Sequence, residues 1–235
     1  MMDQYKKYAP QLRLPEVGEW GQQKLSESAV LIVGCGALGS PLAMYLAGAG
    51  VGRIVLADFD TIDTSNLHRQ IFYTEDEIGM YKAECLQKRI ASLNSDIKVT
   101  VVKKFVTGKF FKDTELQFDV LADAADNPDT TYLLDKYSQE NNIPFSTAGI
   151  SGWSAQIFTY IPGSFAYSDI FARPDEAAGV LPCSVTGVMG PVAGVAASIQ
   201  AAEILKMILG LQGDKSKLIY ADLLRGSFSL SIGSS

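Results

Sequence analysis

The stretch VLIVGCGALGS at residues 30–40 decides the fold. A run of apolar, mostly β-branched residues, typical of a buried strand, passes directly into Gly34, Gly36 and Gly39. This G-x-G-x-x-G spacing lets the main chain turn tightly and come close to a phosphate group. The spacing alone is a weak indication, because any tight strand-to-helix turn also favours glycine. It predicts a Rossmann-like unit whose ligand other residues must identify.

Composition limits the classes of protein that this chain can belong to. It has 235 residues, a net charge of −6 and 47% hydrophobic residues. These values predict one globular domain over residues 1–235, and the acidic balance argues against nucleic-acid binding, which needs a basic face. Three widely spaced cysteines argue against a disulfide framework. The N-terminus has no apolar signal-peptide core, so we expect a cytoplasmic protein.

One apolar stretch, residues 187–210, is long enough to span a membrane. It carries Gln200, Glu203 and Lys206 at helical spacing, which forms a polar edge. A spanning helix would avoid such an edge, whereas the amphipathic core helix of a soluble protein accommodates it. The stretch therefore predicts a buried helix and no membrane partner.

Apolar runs and helical patterns alternate along the chain. Strands are predicted at Ala29–Val33, Arg53–Ala57, Lys98–Val102, Val120–Asp123, 145–148, 155–160, 217–222 and 227–232, and helices at 41–49, 82–93, 129–141 and 188–209. Residues 155–160 alternate as a partly exposed strand would. The order predicts an α/β fold with a mostly parallel sheet flanked by helices and antiparallel strands in the C-terminal part.

Charged residues follow the glycine loop at strand ends and helix starts. Asp58 closes the second strand, 19 residues after Gly39, where a carboxylate can bind ribose hydroxyls. A nicotinamide-dependent oxidoreductase would fit equally well up to this point. A triphosphate with magnesium is favoured over a nicotinamide cofactor by Arg69, Lys82 and Asp126, because it needs two cations and a carboxylate. Such groups neutralise the charge that develops on departing pyrophosphate.

Several longer motifs together resemble the ThiF/MoeB/HesA family, the bacterial relatives of ubiquitin-activating enzymes. They are VGRIVLADFDTIDTSNLHRQ (51–70), IGMYK (78–82), DNPDTT (126–131) and PCSVTGVMGPVAGVAASIQAAEILK (182–206). The resemblance covers nearly the whole chain. It implies ATP-dependent adenylation of the C-terminal Gly-Gly carboxylate of a small ubiquitin-like sulfur-carrier protein, with release of pyrophosphate, for thiamine or another sulfur-containing cofactor. It also implies a homodimer.

The resemblance assigns a role to each residue that matches a family motif. It implies that the ATP phosphates lie against Gly34, Gly36 and Gly39, and that Asp58 binds the ribose. It implies that Asn66, Arg69 and Lys82 bind the phosphates. It also implies that Asp126 binds magnesium. A carboxylate substrate needs no general base, so the single histidine, His68, is expected to serve in positioning or to face solvent. Simpler alternatives exist. Arg69 and Lys82 are then solvated charges, and Asp126 caps a helix that starts near Pro128.

Two departures from the family pattern concern zinc and the dimer. The chain has no paired C-x-x-C motifs, so we expect no zinc. Pro10 stands where relatives place an arginine that reaches the neighbouring subunit's ATP site. Arg13 or Lys7 could replace that arginine, and its loss leaves open a catalytically weakened or partner-dependent member.

The remaining candidate residues are the cysteines and those of the groove expected to bind the carrier. Cys183 matches a position where some relatives carry a cysteine that links to the carrier, so it is a candidate nucleophile, although an isolated cysteine is commonly inert. Cys35 is expected to fill a small space and Cys85 to lie on the buried face or edge of its helix. The carrier tail is expected to thread between residues 148–160 and 164–183, where Gly149 and Gly152 suit close approach of the main chain.

Overall fold

The computed structural model describes residues 6–173 and 187–232. Its strands are β1 (Ala29–Val33), β2 (Arg53–Ala57), β3 (Lys98–Val102), β4 (Val120–Asp123), β5 (Phe145–Ser151), β6 (Ser154–Tyr160), β7 (Lys217–Asp222) and β8 (Ser227–Ile232). Its α-helices are α1 (Ala9–Leu12), α2 (Gly18–Glu27), α3 (Gly39–Ala49), α4 (Lys82–Leu93), α5 (Gly108–Asp113), α6 (Pro128–Asn141), α7 (Tyr167–Ile170) and α8 (Gly190–Leu209).

All eight strands belong to one sheet, in the order β3-β2-β1-β4-β5-β6-β7-β8. The first five of these positions are joined by parallel pairing, and β6, β7 and β8 add antiparallel pairs. This confirms the predicted mostly parallel sheet with an antiparallel C-terminal part. Parallel strands need helical crossovers to return the chain, and α3, α4 and α6 supply three of them.

Helices cover both faces of the sheet. On one face α2, α3, α4 and α8 contribute to a single apolar cluster, for example through Leu25, Leu42, Leu86 and Ile204. On the other face α5, α6 and α7 pack around Leu121 and Phe145. The crossovers change face between β1 and β4, because α3 and α4 lie on the first face and α6 lies on the second.

Element boundaries differ from the sequence patterns in a few places. Helix α3 begins at Gly39, two residues before the predicted start, and β5 runs three residues further because it continues into a hairpin with β6. The patterns predicted none of α1, α2, α5 and α7. Three of these have four to six residues, too few to show helical periodicity.

Strand β6 is not the partly exposed strand that its alternation predicted. Ile157 is 0% and its neighbour Phe158 is 1% exposed, and the two belong to the apolar clusters on opposite faces. β6 is a central strand between β5 and β7. Both faces of β6 are therefore covered, so neither face of the strand is exposed to solvent as the alternating pattern predicted.

Helix α8 lies against the sheet as a core helix. It is the one helix within the described ranges that is long and apolar enough to cross a membrane, and half of its apolar window is buried inside the molecule. The predicted buried helix is confirmed, and two residues of its polar edge are buried as well, since Gln200 is 0% and Glu203 is 3% exposed. Gln200 donates to the carbonyl groups of Asp123 and Ser146, and Glu203 pairs with Lys206 and Lys217. Buried polar groups of this kind need such partners.

Candidate active site

The loops after β1 and β4 meet where the crossovers change face. The β1 loop turns toward α3 and the β4 loop toward α6, on opposite faces, so a crevice opens at the carboxyl ends of these strands. Open α/β sheets bind ligands at this topological switch point. The glycine loop and the segment that ends at Asp126 form its two walls.

Each glycine of the loop has a different steric environment. A Cβ on Gly34, whose φ is +94°, would lie 2.6 Å from the carbonyl oxygen of Ala124. A Cβ on Gly39 would lie 1.9 Å from the carbonyl oxygen of Gly34. These two glycines make the turn and its contact with the β4 loop. Gly36 has space, since a Cβ there would meet only the side chain of Gln70 at 3.4 Å and beyond.

The main chain at the start of α3 has free donors. Within residues 6–173 and 187–232, no atom accepts a hydrogen bond from the N–H groups of Gly36, Ala37 or Leu38. The first N–H groups of a helix lack partners inside the helix and carry its positive dipole end. The loop therefore has the open side and the donors that a phosphate group requires.

Asp58 holds the glycine loop from the end of β2. Its Oδ2 accepts from the N–H of Cys35 at 2.6 Å and its Oδ1 accepts from the N–H of Asp60 at 2.7 Å. Burial raises the pKa of the Asp58 carboxyl, and these hydrogen bonds and the charge of Lys82 lower it in part. Each oxygen keeps a lone pair for a further donor such as a ribose hydroxyl.

Lys82 is buried at the first residue of α4. It is 6% exposed, which excludes the alternative of a solvated surface charge. The side-chain Nζ of Lys82 lies 3.0 Å from Oδ2 of Asp60, and the main-chain N–H of Lys82 donates to the main-chain carbonyl of Asp60. No motif pointed to Asp60, although its place two residues after Asp58 at a strand end was an available signal.

Arg69 lies in a turn beside the glycine loop, but its guanidinium group faces its own segment. Its Nη1 donates to the carbonyl of Ser65 at 3.0 Å and lies 2.8 Å from Nε2 of the exposed His68. The carbonyl of Asn66 accepts from the N–H groups of Arg69 and Gln70. In the part of the chain that the structure describes, no hydrogen bond or ion pair joins the Arg69 side chain to Lys82 or Asp126.

Asp126 is exposed on the β4 loop, and the helix-cap alternative for it is wrong. Asn127 is the N-cap of α6, because its side chain accepts from the N–H of Thr130 at 2.9 Å. Pro128 then occupies the first helical turn. Asp126 stays available to a ligand in the crevice.

Asp123 is a buried carboxylate that the sequence analysis did not single out. It is 1% exposed and accepts hydrogen bonds from the hydroxyl groups of Thr131 and Thr147 and from the N–H of Ala125. Burial raises its pKa to about 6, against the effect of these hydrogen bonds. Its position as an acidic residue closing an apolar strand was the available signal. The N–H bond from Ala125 orders the loop that leads to Asp126.

The residues present fit a nucleotide with a phosphate-bound magnesium ion. The loop supplies free N–H donors, Lys82 a cation and Asp126 a carboxylate. Among the described residues no group of three or more His, Cys, Asp or Glu side chains could hold a metal by itself. Mg²⁺ commonly takes one or two protein carboxylates and completes its shell with phosphate oxygens and water, which suits Asp126.

Other predicted residues lie apart from this crevice or outside the described ranges. Cys183 and much of the expected groove segment 164–183 fall outside them. Lys7, a suggested replacement for the arginine at Pro10, binds Asn94 and Asp96 near the amino end of β3. Gly152 has a φ of +56° in the β5–β6 hairpin and room for a Cβ, while its N–H donates to the carbonyl of Gly187 and its carbonyl accepts from the N–H of Met189, so the turn is what requires glycine there.

The two cysteines in the described ranges, Cys35 and Cys85, are buried and free, as the sequence analysis expected. Burial raises the pKa of both thiols. Neither is therefore a reactive thiolate at neutral pH. Both fill space, Cys35 inside the glycine loop and Cys85 on the inner face of α4.

A strand, a glycine loop and a helix at the switch point, with an acidic residue closing the next strand, define the Rossmann-like class of α/β proteins. A model of the ThiF family matches residues 8–232. The chain belongs to the ThiF family.

Relatives of known name agree with this membership. The chain is 38% identical over 214 residues to the "Sulfur carrier protein ThiS adenylyltransferase" of Escherichia coli, covering 91% of this chain and 85% of that protein. It is 38% identical over 228 residues to the "Adenylyltransferase and sulfurtransferase MOCS3" of Bos taurus, covering 96% of this chain and 50% of the relative. The chain thus spans about half the length of the MOCS3 relatives.

Solved structures share the fold. The crystal structure of E. coli MccB with ATP superposes with a TM-score of 0.77 at 26% identity, over 92% of this chain and 67% of MccB. The structure of MccB with AMPCPP and the selenomethionine form of MccA gives 0.77 at 26% identity, over 90% of this chain and 66% of that one. PaaA superposes with 0.81 over 99% of this chain and 84% of that one, but at 18% identity it shows the fold alone.

Proposed function

We propose that this chain is an ATP-dependent adenylyltransferase that activates the C-terminal carboxylate of a small ubiquitin-like sulfur-carrier protein ending in Gly-Gly. The observation that carries the proposal is the buried Lys82 beside an open glycine loop in a member of the ThiF family. The names of the ThiS adenylyltransferase and MOCS3 relatives support the reaction class. The crystal structure of MccB with ATP supports the choice of nucleotide.

The proposed reaction needs positioning and charge neutralisation more than acid–base chemistry. A carboxylate oxygen of the carrier attacks the α-phosphorus of ATP, a new O–P bond forms, and the bond to the β-phosphate oxygen breaks with its electrons leaving on pyrophosphate. The attacking group is already ionised, so no proton has to be removed. The products are an acyl-adenylate and pyrophosphate.

The chain's own residues divide this work. The N–H groups of Gly36, Ala37 and Leu38 bind phosphate oxygens, and Asp58 accepts from the ribose hydroxyls. Lys82 turns from Asp60 to the phosphates and offsets the charge that develops on pyrophosphate, while Arg69 leaves Ser65 to do the same. Asp126 is the residue that would hold Mg²⁺, and the bound ion would further offset the phosphate charge.

The finer parts of the proposal follow the family resemblance. We place the protein in the cytoplasm as a homodimer, without zinc, serving thiamine or another sulfur-containing cofactor, with Cys183 as a candidate for a covalent link to the carrier. The oxidoreductase alternative leaves the buried Lys82 and the exposed Asp126 without a role. The ThiS and MOCS3 relatives are both named as adenylyltransferases.

A second candidate is a family member that needs another subunit to complete its site. Pro10 lies in the first turn of α1 and offers no charge, and Lys7 is already paired with Asp96 at 2.7 Å. Adenylation at an ordinary enzymatic rate by the purified chain alone would contradict this candidate.

The test is ATP–pyrophosphate exchange with a carrier that ends in Gly-Gly. Asp126→Ala should lower exchange by roughly 100-fold or more, because it removes the carboxylate proposed to hold the Mg²⁺ that offsets charge in the transition state. Asp129→Ala is the matched control, since Asp129 is an exposed carboxylate three residues further along, in the first turn of α6. Exchange that Asp126→Ala leaves unchanged would contradict the proposal, as would stabilisation of the protein by NADH but not by Mg-ATP.

A further inference from the structure

We propose that Tyr73 is a positioning residue that sets the orientation of the glycine loop toward the nucleotide. The inference rests on the proposed adenylation function and concerns a residue that no motif singled out. Tyr73 is 5% exposed, and its hydroxyl donates to the carbonyl oxygen of Cys35 at 2.6 Å. The same hydroxyl lies 3.3 Å from the carbonyl oxygen of Lys82.

The hydrogen bond from Tyr73 fixes one peptide plane of the loop. In a trans peptide the C=O and the following N–H point in opposite directions. Because the Cys35 carbonyl faces Tyr73, the N–H of Gly36 has to face away from Tyr73. That N–H is one of the free donors at the start of α3.

The preceding peptide plane is held as well. The N–H of Cys35 donates to Oδ2 of Asp58 at 2.6 Å. Cys35 is therefore held at its N–H by the residue expected to bind ribose and at its carbonyl by Tyr73. Two consecutive peptide planes cannot rotate without breaking one of these hydrogen bonds, which leaves the loop organised before a nucleotide arrives.

The tyrosine ring is itself firmly held. It packs with Ile62 and Cys85 in a small buried cluster, and Arg89 of α4 lies 5.9 Å from the ring centroid. Arg89 makes a two-point ion pair with Glu77 at 2.6 and 2.7 Å, and Glu77 accepts from the N–H of Thr74. Burial raises the pKa of Tyr73, so its hydroxyl stays a donor at neutral pH.

One hydroxyl group therefore connects the two parts of the site that meet the phosphates. It contacts the glycine loop through Cys35 and the first turn of α4 through Lys82, residues separated by 47 positions in the chain. Loss of the hydroxyl leaves a buried carbonyl without its side-chain donor and frees the Cys35–Gly36 peptide to rotate. The expected consequence is weaker nucleotide binding in a protein that still folds.

The test compares two tyrosine variants in the full chain. Tyr73→Phe keeps the ring and removes the hydroxyl, and Kd and KM for Mg-ATP should rise about 10-fold while kcat for pyrophosphate exchange changes less than about 3-fold. Tyr8→Phe is the control. The Tyr8 hydroxyl is also buried and accepts from Asn94 at 2.7 Å, near the amino end of β3 and away from the glycine loop. Tyr8→Phe should lower Tm to an extent similar to that of Tyr73→Phe and leave the Kd for Mg-ATP unchanged.

The outcomes separate this inference from the proposed function. Wild-type protein that neither binds Mg-ATP nor supports exchange overturns both. Wild-type activity together with equal Mg-ATP affinity in Tyr73→Phe overturns the role of Tyr73 alone. A measurement on the wild type does not depend on the variant folding: the ¹⁵N–¹H resonance of Gly36 should move on addition of Mg-ATP, and an unchanged resonance contradicts the assignment.

Discussion

The ammonium group of Lys82 lies 3.0 Å from the carboxylate of Asp60, with 7% of the lysine side chain and 49% of the aspartate side chain exposed. A buried cation needs a partner, and here the partner is half in solvent. Asp60 can therefore be exchanged for another anion at low cost. The pair holds Lys82 in place, and in the proposed function a phosphate group replaces the carboxylate.

Replacing Lys82 by glutamine should slow catalysis strongly and leave the protein folded. Exchange of pyrophosphate should fall by roughly 100- to 1,000-fold, because a preorganised cation in a transition state contributes that much. Asp60 loses its partner but remains half solvated, so Tm should change by only a few degrees. Lys103→Gln is the control, since its ion pair with Glu84 at 2.7 Å is exposed on both sides. Equal activity of the two variants would contradict a phosphate role for Lys82.

Alanine at Gly39 should distort the loop. The added Cβ would lie 1.9 Å from the carbonyl oxygen of Gly34, so the first turn of α3 has to move. We expect a loss of about 3 kcal/mol in the free energy of unfolding, measured by urea denaturation. Gly194→Ala in α8 is the control, because a Cβ there meets nothing within 4 Å, and it should stabilise the protein by up to about 1 kcal/mol. A Gly39→Ala protein as stable as the wild type would show that the loop relaxes freely.

The buried carboxyl of Asp123 should make stability depend on pH in a defined direction. Its pKa is about 6 in the folded protein against an ordinary value of 3.8, so the folded state binds the extra proton between these values. Ionisation above about pH 6 therefore costs folding free energy, and that cost disappears as the pH falls. Asparagine can keep the hydrogen bonds without ionising, since the hydroxyl groups of Thr131 and Thr147 can rotate to accept.

The measurement compares the unfolding free energies of wild type and Asp123→Asn at about pH 7 and about pH 4. On acidification, the free energy of unfolding of the wild type should rise by about 2 kcal/mol relative to that of the variant, because the wild type loses its buried charge. Asp113→Asn, at the exposed end of α5, controls for the general effect of removing a carboxylate. A difference between Asp123→Asn and wild type that stays constant with pH would show that Asp123 has no raised pKa.

Local patterns predicted the central unit of the fold well. Ala29–Val33, Arg53–Ala57 and Lys98–Val102 are strands over the predicted residues, because apolar runs closed by glycine or a charged residue have few alternatives. The glycine spacing also placed the tight turn, since Gly34 has a positive φ and a Cβ on Gly39 would meet the carbonyl oxygen of Gly34. The same patterns were wrong for β6, and they did not show that Gln200 and Glu203 are buried. Exposure depends on what packs against a segment, and periodicity does not report that.

The candidate site divides in the same way. Motifs proposed Asp58, Lys82 and Asp126, but no local signal connected Tyr73 with Cys35, 38 residues earlier. Nor did one show that Asp123 is buried between α6 and β5. These relationships depend on strands and helices from distant parts of the chain arriving at one edge of the sheet.

The sequence by itself determined the succession of the strands and of the four longest helices, the tight turn at Gly34–Gly39 and the family to which the chain belongs, because backbone sterics and side-chain periodicity act over a few residues. Tertiary structure alone decided which carboxylate pairs with Lys82, which hydroxyl group binds the glycine loop and which carboxyl group is buried away from solvent. A hydrogen bond or a desolvated charge depends on neighbours in space, and the order of the sheet chooses those neighbours.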